Sequence, residues 1–398
     1  MTAIFLIIGY LPMCIADPSS MSRSFIWYGF LIGLSYLNLN KLHGTWPTSS
    51  NKLLFSINVF WVYLFVYNII WLASGVSGIA YYIISVTSWV LCANLFYKIG
   101  MSKEYYTKVE MLDLLKFVAI LIISFVFFRQ LTLFTRIGFI FDLAQGYGVG
   151  GPDVQLFKNI YPFILAAFSI GVFLIKKKTI RLIMIVFILI GILLSNKRGP
   201  LVGMAISLFV MIIFQGNIRK KIKLAIAASI FILLAYIFSL THFPELTNAF
   251  IHRFTDEDEV GSGRLTVWSQ GFQIWLNNAN PIFGGGPGFS AKIISRTEWG
   301  AGLNAHSDYM DVLFQYGFLG LLLQLAYCFH IMKVIWTVRN EKQFQYKDML
   351  IYSGTFIVTT MVYTMTYIYI VSIISSIFFF FILGEYRKFK QSVSINTN

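Results

Sequence analysis

His306 is the histidine that this chain sets where a proton could be moved. It stands in "NAHSDYMDVLFQYGFLG", residues 304–320, just as an apolar run begins. A helix N-terminus disfavours imidazolium, so the ring stays neutral near pH 7 and can accept a proton. Asp308 or Asp311 close by would push the other way and hold the ring in place. The plainer reading is a histidine that only packs at an interface. His43 falls in a loop, His330 inside an apolar run, and His242 and His252 in a polar stretch with no comparable setting.

Three cations stand out beside it. Lys197 and Arg198 lie in "GILLSNKRGPLVG", a few polar residues between two apolar runs, and Arg264 follows "GSG" where a helix is expected to start. A guanidinium fork grips phosphate oxygens in a bidentate way. The alternatives are that Lys197 and Arg198 snorkel to lipid phosphates, and that Arg264 pairs with the acidic run before it. In that run, "TDEDEV", Asp256 and Asp258 have the spacing that holds a metal-bound sugar nucleotide. Four acids in a polar loop read better as a solvated stretch, so no metal site and no cofactor is assigned.

These groups need elements to carry them, and the segment from Thr241 to Asp308 supplies most of them. After Ser262 as a cap, Leu265, Trp268, Phe272, Trp275 and Leu276 recur at three- and four-residue spacing. That pattern predicts a short amphipathic helix with one apolar stripe, lying on the membrane or on a helix bundle. Its two tryptophans suit packing and interfacial anchoring better than sugar stacking. "PIFGGGPGFS", residues 281–290, implies a tight turn with close backbone approach. It lacks the terminal lysine of a phosphate-binding loop, so a phosphate role would rest on backbone amides, and a rigid bend is the other reading. On a helix following His306, Tyr309 and Met310 would share its face, with Phe314 and Gly317 further along.

The frame is a membrane. Of 398 residues, 57% are hydrophobic and only 12% charged, about half the charge of a typical soluble domain. The net charge of +14 sits largely in short clusters beside apolar runs, which marks topogenic charge and not nucleic-acid binding. Cys14, Cys92 and Cys328 all fall inside apolar segments, so they form neither a disulfide set nor a metal site. We read an all-α polytopic bundle of about twelve membrane helices. The expected spans are 2–16, 24–39, 53–74, 76–98, 114–134, 159–176, 179–195, 199–215, 222–240, 309–334, 348–365 and 369–386. Three regions follow: helices one to nine in 1–240, an outer subdomain in 241–308, and helices ten to twelve with a tail in 309–398. Alternate loops carry the basic clusters, among them "KKKTIR", "RKKIK" and "RKFK". That places both termini in the cytoplasm and 241–308 outside. Lys197 and Arg198 then break the positive-inside bias, as cations do where an anionic partner offsets them.

"SNKRG" at a short outer turn, "SGRLTVW", "NPIFGGGPG" and "AHSDYMDVLFQYGFLG" together resemble the Wzy and WaaL superfamily of bacterial O-antigen polymerases and O-antigen ligases. The likeness in motifs covers residues 195–320, with a matching hydropathy plan elsewhere; Ser307 stands where the family usually has asparagine. The resemblance implies a metal-independent, inverting glycosyltransferase of the GT-C type in the bacterial inner membrane, with its active site facing the periplasm. Its donor would be an undecaprenyl-diphosphate-linked oligosaccharide, with membrane lipid and a chain-length regulator protein as partners and no nucleic acid. It maps His306 as the catalytic residue and Arg198 and Arg264, joined by Lys197 and Arg253, as ligands of the diphosphate. Asp308, Tyr309, Trp268, Gly286 and Gly288 are supporting positions. A repeat-unit polymerase of O-antigen or capsule polysaccharide is favoured by the likeness of the outer segment. A ligase acting on lipid A core is the alternative, and a lipid-linked oligosaccharide flippase is the alternative from another class.

Overall fold

A computed structural model of the protein describes residues 51–74, 79–101, 105–137, 161–195, 198–214, 241, 264–297, 307–363 and 369–396, and for Arg198 and Arg264 the backbone only. Among these residues the regular structure is helical, apart from one antiparallel bridge between Asn280 and Gly284. In chain order the helices are α1 (Lys52–Ala73), α2 (Ile79–Met101), α3 (Tyr105–Ile137), α4 (Tyr161–Phe168), α5 (Lys178–Leu194), α6 (Arg198–Phe214), α7 (Arg264–Asn278), α8 (Phe289–Ile294), α9 (Asp308–Val338), α10 (Lys347–Tyr363) and α11 (Tyr369–Asn396). A 3-10 stretch, Ser169–Leu174, continues α4.

Helices lie over the expected spans that fall among the described residues, but the span expected at 309–334 is broken at Gly317, and three of the helices are long and apolar enough to cross a membrane. The apolar stretch 349–386 is indeed two helices, α10 and α11. By length and composition α1, the Met111–Leu133 part of α3 and α9 qualify as membrane spans, with Tyr161–Leu174 and Gly199–Phe214 as shorter apolar helices. The expected spans 2–16, 24–39 and 222–240 lie outside the described residues.

Glycines set the tightest helix pairings. A Cβ on Gly100 would come within 2.1 Å of the Phe381 carbonyl oxygen, and one on Gly384 within 2.3 Å of the Tyr97 carbonyl oxygen. α2 and α11 therefore touch backbone to backbone, the close approach that small residues permit inside membranes. Around them Phe378, Phe379, Phe380 and Phe381 are fully buried in one continuous core.

The basic loops gather at one end of the bundle. Lys390 and Tyr386, from the tail of α11, both donate to Glu341 in the loop after α9, at 2.6 and 3.3 Å. Arg339 lies over the ring of Trp336, with Phe214 at the end of α6 beside them. The opposite end carries Trp71, the glycine-rich bend and a break in α9.

That break is at Gly317, whose φ of 70° and ψ of −170° are not helical. Tyr309 Oη lies 3.4 Å from Cys328 Sγ, yet residues so spaced would stand roughly 28 Å apart along a straight helix. The first part of α9, 308–316, therefore folds back alongside the second as a short arm. The remaining run, 318–338, is about 31 Å long by helical rise and can cross a bilayer alone.

Candidate functional site

A broken helix inside a membrane leaves carbonyls at one side of the break and amides at the other, each costing several kcal/mol if unpaired in hydrocarbon. Here the bend 281–288 supplies most of the partners. Gly285 N–H donates to the Phe314 carbonyl and Gly286 N–H to that of Gln315, both at 3.0 Å. In return Phe318 N–H donates to the Pro281 carbonyl at 2.9 Å and Leu319 N–H to that of Ile282 at 3.1 Å. Gly288 N–H donates to Gln315 Oε1 at 3.0 Å. The remaining carbonyl, that of Tyr316, accepts from Tyr63 Oη of α1 at 2.8 Å.

The glycines are what allow this fit. Gly284 has φ 81° and its Cβ would meet the Gln315 carbonyl at 2.4 Å; a Cβ on Gly317 would meet the Ile282 carbonyl at 2.2 Å. A Cβ on Gly286, φ 92°, would strike the Trp71 ring at 2.5 Å. With no side chain, bend and break lie backbone against backbone. The amides of Gly285, Gly286 and Gly288 are thus engaged by α9, which favours the rigid-bend reading of "PIFGGGPGFS".

Below the break the arm packs into a small cluster of its own. Val267 and fully buried Trp275 of α7, Ile293 and Ile294 of α8, and Leu313 and Phe314 of the arm form it, with Trp268, Phe272 and Met310 against its edge. α7 begins at Arg264 and is amphipathic as expected, but its buried stripe differs. Val267, Gly271 and Trp275 face inward, while Leu265 is 64% and Leu276 40% exposed. Gly271 is selected by contact, since its Cβ position is 3.2 to 3.4 Å from Ile294, Phe314 and Ile293.

The foot of the arm lies well inside the bundle. Tyr309 Oη donates to the Val358 carbonyl of α10 at 3.3 Å besides meeting Cys328. Cys328 is some ten residues, about 15 Å, from the end of α9 at Val338. Ser307, which precedes the arm, is 2% exposed. Asp308 and Asp311 lie in the first turn of the arm, where acidic side chains favour the helix dipole. Ser290 Oγ of α8 donates to Asp311 Oδ1.

The expected cations stand at helix starts. Arg198 is the first residue of α6 and Arg264 the first residue of α7, positions where backbone amides add to a cation's attraction for an anion. α6 packs along α10, with the Gly203 Cβ position 3.1 Å from Thr360 and 3.5 Å from Phe356. Tyr309 meets α10 at the same height, at Val358, on the opposite face. Arg198 lies five residues, about 7.5 Å, further toward the end at which α10 stops. Lys197, Arg253 and His306 lie outside the described residues, as do Asp256 and Asp258. Among the described residues no cluster of His, Cys, Asp and Glu is arranged to hold a metal.

Residues 183–325 match the family described as O-Antigen ligase. Over that stretch the chain is similar to the O-antigen polymerase and ligase superfamily. None of the curated proteins matches the chain. The family stretch opens within α5 and closes within α9, so it takes in Arg198, Arg264, His306, the glycine-rich bend and the break at Gly317. The match supports an O-antigen ligase or polymerase type of function in lipopolysaccharide biosynthesis, a family whose substrates are lipid-linked glycans.

Sequence reasoning missed the break and everything that holds it. Gly317 reads as one more small residue in an apolar run, although a 31-residue helix is half as long again as a span requires. Tyr63, Tyr67 and Trp71 at four-residue spacing, with Asn68 among them, were the available signal in α1.

Proposed function

We propose that this protein polymerises lipid-linked oligosaccharide repeat units by inverting glycosyl transfer from undecaprenyl diphosphate, on the outer face of the inner membrane. The observation that carries the reading is the fold-back of α9. It sets Ser307 and Asp308 within the bundle, where ionisable residues mark function by default, and His306 is the residue before Ser307 in sequence.

His306 is the general base in this mechanism. It takes the proton of an acceptor sugar hydroxyl as that oxygen attacks the anomeric carbon from the face opposite the diphosphate, which inverts the centre. The anomeric C–O bond breaks and its electrons pass to the diphosphate. Arg198 and Arg264, with Lys197 and Arg253, stabilise that departing charge, each well-placed donor by about 3 kcal/mol as in oxyanion holes. Cationic side chains at helix N-termini make this chemistry independent of a metal. Asp308 steadies the imidazole, while Tyr309, Trp268, Gly286 and Gly288 shape and hold the arm and bend around the acceptor. The basic end of the bundle, with Arg339, Lys347 and Lys390, faces the cytoplasm in this arrangement and the bend faces the periplasm. The regions 1–240, 241–308 and 309–398 serve as scaffold, outer subdomain and closing helices, and a chain-length regulator is the expected protein partner.

Deletion of the gene, followed by gel analysis of surface glycan, tests the reading. A single repeat on the core is expected. Naked core with lipid-linked polymer accumulating would instead make the protein a ligase, and glycan held at the cytoplasmic face would make it a flippase.

A further inference from the structure

We propose that Tyr63 and Asn68 of α1 are positioning residues for glycosyl transfer, because they fix the break from which the arm 308–316 hangs. This rests on the reading above for the reaction, but the contacts themselves are independent of it. Tyr63 Oη closes the last orphaned carbonyl of the arm, that of Tyr316. Asn68, five residues before the end of α1, is 1% exposed. Its amide nitrogen donates to the Leu64 carbonyl at 2.6 Å and to Tyr316 Oη at 3.1 Å, and Tyr316 Oη lies 3.3 Å from Asn68 Oδ1. Tyr67 packs edge-on against Tyr316 with ring centroids 5.4 Å apart, and Trp71 covers Gly286.

One face of α1 is therefore given over to the carboxyl end of the arm and to the bend. A buried amide in a membrane helix is expensive, and here its bonds go to its own helix and to one tyrosine at the break. That tyrosine is the last residue before Gly317. The arm is nine residues long, so a shift or rotation at Tyr316 is carried to Ser307, the residue that follows His306 in sequence. Misplacement by about 1 Å can cost a reaction on the order of 100-fold. Tyr63 and Asn68 touch no reacting atom in this scheme, and they lie outside the stretch 183–325 that matches the family.

The test uses the full chain in lipid nanodiscs. Tyr63→Phe and Asn68→Leu are expected to lower kcat for transfer from a lipid-linked oligosaccharide by about tenfold with KM within about twofold. Tyr386→Phe, which loses a comparable hydroxyl bond at the far end of the bundle, is expected to leave both unchanged. A second measurement needs no activity: Ser307→Cys is labelled with a water-soluble thiol reagent, against the parent chain as background, with and without Tyr63→Phe. Labelling faster by about fivefold or more is expected when the anchor is removed. Unchanged labelling, or a kcat loss matched by Tyr386→Phe, overturns the proposal. If the parent chain transfers no glycan while Tyr63→Phe still speeds labelling, the anchor stands and the reaction assigned to the protein falls.

Discussion

Tyr309 and Cys328 meet at 3.4 Å although nineteen positions separate them in one helix. Only a fold-back at Gly317 permits this. The contact places the foot of the arm about 15 Å above the basic end of α9, inside the bundle and not on its surface.

Gly317→Ala tests the fold-back by stability. A Cβ there must enter the Ile282 carbonyl at 2.2 Å while φ stays at 70°, so strain and overlap add to about 2 to 4 kcal/mol. Sharply lower abundance in membranes and loss of the glycan ladder are expected. Wild-type abundance and melting temperature would mean that the helix does not break there.

Gly100→Ala and Gly384→Ala probe the bundle away from the site. Each Cβ would meet partner backbone, not a movable side chain, so α2 and α11 must separate at a cost of about 1 to 3 kcal/mol. Thermal unfolding in detergent should fall for both, with kcat of the surviving protein unchanged. An unchanged melting temperature would refute the close crossing.

Much of this was legible beforehand. The split of 349–386 into two helices follows from length, since a run of that size overshoots one bilayer. The start of α7 at Arg264 and the burial of Trp275 follow from capping and periodicity. Leu265 and Leu276 were misassigned because α7 is apolar on more than one side; the choice of Val267 and Gly271 for the inner face depends on Ile293, Ile294 and Phe314, which lie elsewhere in the chain. The break at Gly317 was invisible for the same kind of reason. Its orphaned groups are paired by Gly285 and Gly286, some thirty residues away, and by Tyr63, some 250 away; the spacing of Tyr63, Tyr67 and Trp71 with Asn68 marks a polar-aromatic face on α1 but does not name the partner it meets.

Trp275→Ala is expected to cost about 3 to 5 kcal/mol in the cluster formed by α7, α8 and the arm, where the indole is fully buried against Phe314 and Phe318. Because the cluster includes the arm, activity should fall with it. Limited proteolysis checks this: faster cleavage between α7 and α9 is expected, and a wild-type cleavage pattern would show that the cluster does not brace the arm.

Chelation tests the metal-free mechanism. With cationic side chains stabilising the leaving diphosphate, EDTA should leave the transfer rate within about twofold. A rate abolished by EDTA and restored by a divalent cation would hand that role to a metal and point to Asp256 and Asp258.

The most direct measurement is transfer by the purified chain from synthetic undecaprenyl-diphosphate oligosaccharide, comparing the wild type with His306→Ala and Arg264→Ala at equal membrane abundance. Longer lipid-linked glycan from the wild type and a loss of at least about 100-fold in each variant is the expected result. Near-normal product ladders from both variants would contradict the catalytic assignment outright.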